Sequence, residues 1–539
     1  MKTIMGTGVF RGLAYGNILY FRHEENRVEK RTVPDAEEEI LRFRKAIREE
    51  LETLDLLYEK ALKEVGENNA RIFQIHRMML EDDEFIGTAE QEIRAERVNA
   101  EYAVSSAAAA AEQALASMKD DYLKSRAADI REVFGGLVQR LGREKVDGIR
   151  TDGPVILAAD DLSPSETLKL DKSKILAFIT AKGSSNSHTA ILARSMNIPA
   201  VVAVGEALGP DCGGKTAIVN GDSGKIVLEP DGAGLAEYER QKKALETENQ
   251  GLQELRGMEN ETSDGRKIRI YGNAGSLADV QTALDNDAGG IGLFRSEFLY
   301  LGRDGAPSEE EQFQIYKAAL EAMQGKEAVI RTLDIGADKQ ADYLKMPQEQ
   351  NPAMGCRAIR LCLTRPELFR TQLHALYRAS AYGKLLIMFP MIASVQELRE
   401  AKQLAREVRE ELSGEGIPFD PDVKIGIMVE TPAAALTSAE LAEEADFFSI
   451  GTNDLTQYTL AIDRQNAALG RFYNPHHPAV LRLIEMTVKN AHAHGIWAGI
   501  CGELGADEAQ TRTFLDMGVD ELSVSPPCIL RLRKKVREI

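Results

Sequence analysis

Eight short apolar segments recur from residue 260 onward, and their regular spacing restricts the possible folds more than any other feature of this sequence. Most of them are separated by stretches with amphipathic helical spacing, such as residues 394–412 and 479–494. Eight alternating strand and helix units in a stretch of this length are typical of a TIM barrel. The segments are KIRIYGNA (267–274), GIGLFRS (290–296), AVIRTLD (328–334), LLIMFPMI (385–392), IGIMVET (425–431), FFSIGTND (447–454), WAGICGE (497–503) and ELSVSP (521–526). The sequence therefore predicts a (β/α)8 TIM barrel over residues 260–539.

The N-terminal half has a different character and predicts a multidomain α/β protein. Strand-like segments broken by Gly and Pro occur near the N-terminus and again over 154–228. Over 33–142, Ala, Glu, Leu and Arg dominate, glycine is rare and apolar residues recur at helical spacing. We expect an α/β domain formed by residues 1–32 and 143–230, with a bundle of about four helices inserted into it. The polar stretch 231–259 is predicted to be a linker helix.

The net charge of the chain restricts the kinds of partner that it can bind. The chain has 66 Lys and Arg residues against 85 Asp and Glu residues, a formal net charge of −19. This disfavours nucleic acid, because phosphate backbones need a basic surface. No apolar run approaches the roughly 18 residues of a membrane helix, and no signal-peptide pattern is present. Five scattered cysteines without a CxxC motif favour a reducing cytoplasm: Cys212, Cys356, Cys362, Cys501 and Cys528.

Polar residues follow most of the predicted barrel strands, where the active site of a TIM barrel lies. Guanidinium groups bind phosphate and carboxylate through paired hydrogen bonds, and carboxylates are ligands for Mg²⁺. The set therefore predicts a site for a small phosphate-bearing anion held with a divalent ion, although each member alone is more often solvated or salt-bridged. Cys501, by position alone, is more often a small buried apolar residue than a catalytic one. The set comprises Arg295, Glu297, Arg331, Asp334, Arg357, Glu430, Asn453, Asp454, Arg464, Cys501 and Glu503.

A second candidate centre is the stretch AKGSSNSHTAILAR (181–194) of the predicted α/β domain. A strand leads into a small polar loop, and a helix is predicted to begin near Ser187, which places His188 in its first turn. The free N–H groups and the dipole at a helix N-terminus favour an anion and disfavour a protonated imidazole. His188 is therefore a candidate phosphoryl acceptor, although the same pattern fits a histidine that only caps or packs.

Three longer stretches carry a resemblance to a known family: SNSHTAILARSMNIPAVV (185–202), IGIMVETPAA (425–434) and DFFSIGTNDLTQYTLAIDR (446–464). The first resembles the phosphohistidine signature of enzyme I of the bacterial sugar phosphotransferase system, the phosphoenolpyruvate-protein phosphotransferases. The other two resemble the phosphoenolpyruvate-site signature of that family. The similarity extends over essentially the whole chain. It implies transfer of a phosphoryl group from phosphoenolpyruvate to His188 and then to a histidine of the small carrier protein HPr, with release of pyruvate.

The resemblance also implies a role for each site residue. Glu430 and Asp454 would ligate Mg²⁺. Cys501 would protonate the enolate carbon as pyruvate forms. The residues that would hold the phosphate and carboxylate of the substrate are Arg295, Arg331, Arg357, Asn453 and Arg464.

The same resemblance implies two protein contacts. Enzymes of this family are homodimers through the barrel domain, so we expect a homodimer. The inserted helical bundle, residues 33–142, is the expected docking surface for the carrier. A segment of it that contains His76, Met78 and Met79 could contribute to that surface.

The loop before His188 departs from the family pattern. The family usually has Gly-Gly-x-Thr-Ser-His, whereas this chain has Gly-Ser-Ser-Asn-Ser-His at 183–188. Ser184 and Asn186 are polar and can still donate hydrogen bonds to a phosphoryl group, so we retain the role of His188. We expect the two replacements to affect the loop geometry and the transfer rate.

Three alternatives compete with this interpretation. A phosphoenolpyruvate dikinase or synthase shares both signatures but needs an ATP-binding domain upstream, whereas the residues before the predicted phosphohistidine unit are mostly helical in pattern. A regulatory paralogue that signals nitrogen status would carry an added N-terminal sensory domain. A non-catalytic scaffold would have no use for the complete set of arginines, carboxylates, His188 and Cys501.

Overall fold

The computed structural model describes residues 1–22, 28–64, 70, 72–116, 121–142, 151, 153–183, 188–196, 198–301, 303, 305–336, 341–347, 349–464 and 466–539. The chain divides into two compact units, Met1–Thr247 and Glu248–Ile539. None of the described helices combines the length and the apolar character that crossing a membrane requires.

The first unit is built on an eight-stranded mixed sheet. Its strands are β1 (Lys2–Met5), β2 (Thr7–Phe10), β3 (Leu13–Phe21), β4 (Val155–Ala159), β5 (Ile175–Thr180), β6 (Ala200–Val202), β7 (Thr216–Asn220) and β8 (Lys225–Leu228). Their order is β1-β8-β7-β3-β4-β5-β6-β2, with β3 to β6 parallel. Strand β4 is apolar throughout because both of its faces are covered. In β4, Ile156 and Ala158 pack into one core, and Leu157 and Ala159 pack into another.

A helical bundle is inserted between β3 and β4, as predicted. Among the described residues it contains α1 (Ala36–Glu64), α2 (Ile72–Leu80), α3 (Asp83–Glu96), α4 (Ala100–Ala116) and α5 (Asp121–Leu141). These helices bury a core of their own around Phe43, Phe73 and Leu137. The sequence predicted about four helices. The segment after residue 72 forms two, because the side chain of Asp82 accepts a hydrogen bond from the backbone N–H of Phe85 and starts α3 anew.

Among the described residues, three further α-helices belong to the N-terminal half of the chain. α6 (Pro164–Lys169) begins with a capping box of Ser163 and Glu166, and α7 (His188–Met196) follows β5. α8 (Gly232–Gln253) lies within the predicted linker, and the division between the two compact units falls inside it. The domain boundaries given above stay predictions.

The second unit is a closed barrel of eight parallel strands, which confirms the predicted TIM barrel. The strands are β9 (Arg269–Ala274), β10 (Ile291–Arg295), β11 (Glu327–Arg331), β12 (Lys384–Phe389), β13 (Lys424–Val429), β14 (Phe447–Ile450), β15 (Trp497–Ile500) and β16 (Glu521–Val524). The described helices around them are α9 (Leu277–Asp285), α10 (Glu309–Ala322), α11 (Ala358–Thr364), α12 (Pro366–Ser380), α13 (Val395–Gly414), α14 (Pro432–Leu436), α15 (Ser438–Ala442), α16 (Thr452–Leu460), α17 (Pro478–Ala493), α18 (Thr511–Met517) and α19 (Ile529–Arg537).

Two layers of apolar side chains hold the barrel together. The larger layer lies between the strands and the surrounding helices. A smaller cluster that includes Leu293, Val329, Met388, Met428 and Phe447 fills the interior. A packed interior leaves the strand ends and the loops after them to carry the polar residues.

Candidate active site at the mouth of the barrel

Most of the predicted site residues of the second unit lie at the C-terminal ends of the barrel strands, whereas Arg357 directly precedes α11 and Arg464 follows α16. Arg295 and Arg331 are the last residues of β10 and β11, Glu430 directly follows β13, Asn453 and Asp454 lie in the first turn of α16 after β14, and Cys501 directly follows β15. Because the strands are parallel and the barrel is closed, these ends meet at one face. We call this face the barrel mouth.

Two arginines of the barrel mouth are almost completely buried: Arg331 is 7% exposed and Arg357 is 5% exposed. Arg331 Nη2 donates to Glu297 Oε1 at 2.6 Å, and its Nη1 lies 3.1 Å from Asp334 Oδ2. Arg357 Nη2 donates to Asp334 Oδ1 at 2.8 Å. Burial disfavours the charged form of both guanidinium groups, but the neighbouring carboxylates outweigh it and raise the pKa of each above its ordinary value.

Each of these two arginines has one hydrogen-bond donor that is unmet within the described residues. The Nε atoms of Arg331 and Arg357 are buried and have no hydrogen-bond partner in the part of the chain that the structure describes. Buried donors are normally paired, because an unmet donor costs about 1–3 kcal/mol. The backbone next to Arg357 is also unusual, since Ala358 adopts a φ of 51° in the left-handed region. Such donors at a strand-end face favour an anionic ligand.

Glu430 is a buried carboxylate between the two arginines and two other acids. It is 1% exposed, and its Oε1 accepts a hydrogen bond from the backbone N–H of Met391 at 2.6 Å. Burial and, after it, the negative charges of Asp454 and Asp334 raise the pKa of Glu430 to about 8, although Arg331 and Arg357 act in the opposite direction. A cation bound beside Glu430 would stabilise the charged form of this carboxylate.

Asp454 connects the buried arginines with the exposed part of the barrel mouth. Its Oδ2 lies 3.6 Å from Arg357 Nη2, and its Oδ1 lies 3.8 Å from Arg464 Nη2. The side chain of Arg464 is 38% exposed. Arg295 is exposed as well, and its guanidinium lies 4.8 Å from the centre of the Phe298 ring. Asp454 is therefore shared by one buried and one exposed arginine, whereas the charges that act on Arg295 are those of Glu297, Arg331 and Asp279.

Cys501 is buried at the barrel mouth in its protonated form. Burial raises the pKa of its thiol to about 12, and the charge of Glu430 contributes in the same direction. The thiol is therefore neutral at physiological pH and carries a proton. Asn453 is held beside it through Glu503: the backbone N–H of Glu503 donates to Asn453 Oδ1 at 3.1 Å, and Asn453 Nδ2 donates to Glu503 Oε1 at 3.3 Å.

His188 belongs to the first unit and is the first residue of α7. α7 thus begins next to the polar loop, as predicted, and the positive end of a helix dipole favours an anion. The side chain of His188 and residues 184–187, which include the departures at Ser184 and Asn186, lie outside the described residues.

A divalent ion is compatible with the acids of the barrel mouth. Within the described ranges, no group of three or more His, Cys, Asp or Glu side chains is arranged as an all-protein metal site. Mg²⁺ commonly takes only one or two carboxylates and completes its shell with water and substrate oxygens. Glu430 and Asp454 could supply these two carboxylates, because they are close enough for the charge of Asp454 to raise the pKa of Glu430.

Sequence reasoning missed the roles of three residues in this cluster. Glu297 and Asp334 were counted in the set of strand-end residues but were given no role of their own. The signal was their spacing from Arg295 and Arg331 in the chain. Tyr458 was not singled out, although its OH accepts from Arg357 Nη1 at 3.3 Å. Its position four residues after Asp454 on α16 places both side chains on one helix face.

Three family models match the chain. They are described as the PEP-binding domain, the N-terminal domain and the mobile domain of PEP-utilising enzymes, and they match residues 249–539, 5–126 and 151–224. A phosphoenolpyruvate-protein phosphotransferase of Bacillus subtilis is 42% identical over 540 residues, covering 100% of this chain and 95% of that protein. A protein of the same name from Haemophilus influenzae is 41% identical and covers 98% of this chain and 92% of that protein.

Among solved structures, the solution structure of an Enzyme I protein (nEIt) is similar to part of this chain. It is 34% identical with a TM-score of 0.39, and the match covers 45% of this chain and 99% of that one.

Proposed function

Because the chain belongs to the family of phosphoenolpyruvate-protein phosphotransferases, we propose that it transfers the phosphoryl group of phosphoenolpyruvate to His188 and then to a histidine of the small carrier protein HPr. The chain is a phosphotransferase that depends on phosphoenolpyruvate, and its relatives of that name extend over its full length. The observation that carries the site assignment is the buried pair of Arg331 and Arg357, with unmet donors beside Glu430.

The arginines of the barrel mouth bind the substrate in this proposal. Phosphoenolpyruvate carries a phosphate and a carboxylate, and guanidinium groups suit both. Arg331 and Arg357 supply fixed charges, while Arg464 and Arg295 reach the ligand from the exposed side. Asn453 assists as a neutral donor. Because these groups are already in place, they stabilise the developing charge of the transition state without further reorganisation.

Glu430 and Asp454 are the proposed magnesium ligands. The fit rests on the donor set: two neighbouring carboxylates, one of them fully buried with its pKa raised to about 8, which a divalent cation would return to the charged form. Bound there, Mg²⁺ would neutralise phosphoryl oxygens and help to align the substrate.

The transfer step forms a bond between an imidazole nitrogen of His188 and phosphorus, while the bond between phosphorus and the enol oxygen breaks. The electron pair leaves on the enolate, whose carbon then takes a proton to give pyruvate. The Cys501 thiol is the proposed donor, since its raised pKa keeps the proton in place until a strongly basic carbon is near. Because His188 and the barrel residues belong to different compact units, both units must take part in the reacting complex.

The helical bundle is the proposed docking surface for HPr. Within α2, Met78 is 62% exposed, whereas His76 is 1% exposed. Of the residues singled out in this segment, Met78 is therefore available to a partner, and the His76 side chain is part of the bundle core.

We further propose a homodimer through the barrel and a place in the cytoplasm. A dikinase-type reaction with ATP is not favoured, because the relatives that cover the whole chain are protein phosphotransferases.

Intact-mass spectrometry at neutral pH tests this function. The full chain is mixed with phosphoenolpyruvate and Mg²⁺, in parallel with ATP and Mg²⁺ and with a His188→Ala variant. One acid-labile phosphoryl adduct that needs both phosphoenolpyruvate and His188, and that HPr removes, is the expected result. An adduct that forms only with ATP, or none with phosphoenolpyruvate, would contradict the proposal.

A further inference from the structure

Asp334 contacts both buried arginines of the barrel mouth. Its Oδ1 accepts from Arg357 Nη2 at 2.8 Å, and its Oδ2 lies 3.1 Å from Arg331 Nη1. The Asp334 side chain is 3% exposed, and the two arginine side chains are 6% and 8% exposed. One carboxylate thus forms a bridge between two guanidinium groups that come from separate parts of the chain.

The backbone around Asp334 is fixed from two directions. The N–H of Leu333 donates to Gln372 Oε1 at 2.8 Å, and the carbonyl of Ile335 accepts from the N–H of Ala358 at 3.0 Å. The second bond connects the segment of Asp334 directly to the residue after Arg357. The bridge therefore rests on a rigid frame, as precise positioning of a functional group requires.

We infer that Asp334 is a positioning residue for phosphoryl transfer, whose two oxygens hold Arg331 and Arg357 at the spacing at which both engage a single phosphoenolpyruvate. The inference rests on the proposed function. Without the bridge, two like charges buried side by side repel each other and separate. An amide in its place offers one oxygen acceptor and turns an NH2 group toward the other guanidinium, where two donors face each other.

Asp334→Asn is expected to lower kcat while KM for phosphoenolpyruvate changes little. Displacing catalytic groups by about 1 Å costs roughly 100-fold in rate, so kcat should fall by about that factor. KM for phosphoenolpyruvate should change by less than about threefold, because removal of a negative charge does not weaken attraction for an anion. A merely structural role would instead lower Tm and leave kcat per folded molecule unchanged.

The matched control is Asp287→Asn, which removes the carboxylate partner of buried Arg533. Asp287 lies before β10, at the end of the barrel opposite the mouth. We expect this variant to lower Tm while kcat stays within about twofold of wild type. Asp334→Glu keeps the charge but lengthens the bridge, so it should recover at least tenfold of the kcat lost in Asp334→Asn and remain below wild type.

Pyruvate release in the presence of HPr, measured on the full chain over a range of phosphoenolpyruvate concentrations, decides the outcome. Wild-type kcat in Asp334→Asn overturns the inference and leaves the proposed function intact. If that variant does not fold, Asp334→Glu carries the test, and wild-type kcat there overturns the inference equally. A wild-type chain that forms no adduct with phosphoenolpyruvate removes the proposed function and the inference together.

Discussion

The two ends of the barrel each bury a glutamate, and only one end is arranged as a site. Glu430 follows β13 at the barrel mouth, and Glu521 is the first residue of β16 at the opposite end, which we call the barrel floor. They are 1% and 0% exposed. Burial is the largest cause that raises the pKa of each to about 8. The pKa alone does not distinguish the two carboxyl groups.

Their surroundings do distinguish them. Glu430 accepts a backbone hydrogen bond from Met391 and lies among arginines whose remaining donors are unmet. Neither oxygen of Glu521 has a hydrogen-bond partner in the described ranges, and its neighbour Arg269, whose buried Nη1 is also unmet, lies with its guanidinium 4.7 Å from the Trp497 ring centre. Unmet groups and a raised pKa therefore occur at both ends, and what indicates a site at the mouth is the convergence of two arginines and two further acids on Glu430.

The sharpest test of this comparison substitutes each glutamate in turn. Glu430→Gln removes a proposed magnesium ligand and should lower the rate of phosphoryl transfer from phosphoenolpyruvate by roughly 1,000-fold, since such charge stabilisation amounts to several kcal/mol. Glu521→Gln should leave the rate within about threefold of wild type. The measurement is single-turnover formation of the phosphoryl adduct, quenched and followed by intact mass.

Equal losses in both variants would break the comparison, because the barrel floor would then be as important for transfer as the mouth. A thermal unfolding curve for each variant serves as the control, so that only folded protein is compared.

The barrel was predictable from sequence because its signals are local. Strand β10 was predicted at 290–296 and is observed at Ile291–Arg295, since an apolar run followed by a polar residue defines it within a few positions. Parallel closure then places all strand ends at one face. The ion pairs were not predictable in the same way. Asp334 reaches Arg357 across 23 residues of a long connection, and nothing in the local pattern states where that connection folds back.

A smaller effect is expected at Cys501, the other protonated group of the mouth. Cys501→Ser replaces the thiol by a weaker acid, so the overall rate of pyruvate formation should fall by about 100-fold, within the range of general acid catalysis. The phosphoryl adduct should still form, because the thiol acts on the enolate carbon. Parallel assays of adduct and pyruvate separate the two steps.

Cys212→Ser provides the control for Cys501→Ser, since Cys212 is a buried thiol of the first unit. It should leave both assays within about twofold of wild type. If Cys501→Ser forms pyruvate at the wild-type rate, the thiol is not the proton donor.

Glu521, at the barrel floor, should make the free energy of unfolding depend on pH. Its ordinary pKa of 4.5 applies to the unfolded chain, and its folded pKa is about 8. Between these values the folded form binds more protons, so the contribution of this group to stability is complete below pH 4.5 and is lost as the pH rises to 8. From pH 6 to pH 8 the loss is about 2 kcal/mol. Urea unfolding of the barrel should show this decline in wild type and a weaker decline in Glu521→Gln, whereas equal slopes would refute it.

The smallest effects are expected from two glycines, one near each end. A Cβ on Gly502 would meet Thr452, with the backbone nitrogen at 2.8 Å, and a Cβ on Gly499 would lie 2.8 Å from Glu521 Cβ. Either alanine should cost about 1–3 kcal/mol of stability through overpacking. Only Gly502→Ala should also slow transfer, by about tenfold, because Thr452 precedes Asn453 and shifts it. If Gly499→Ala slows transfer as strongly while both variants unfold at the same urea concentration, the two ends of the barrel are mechanically coupled, and the separation between mouth and floor is wrong.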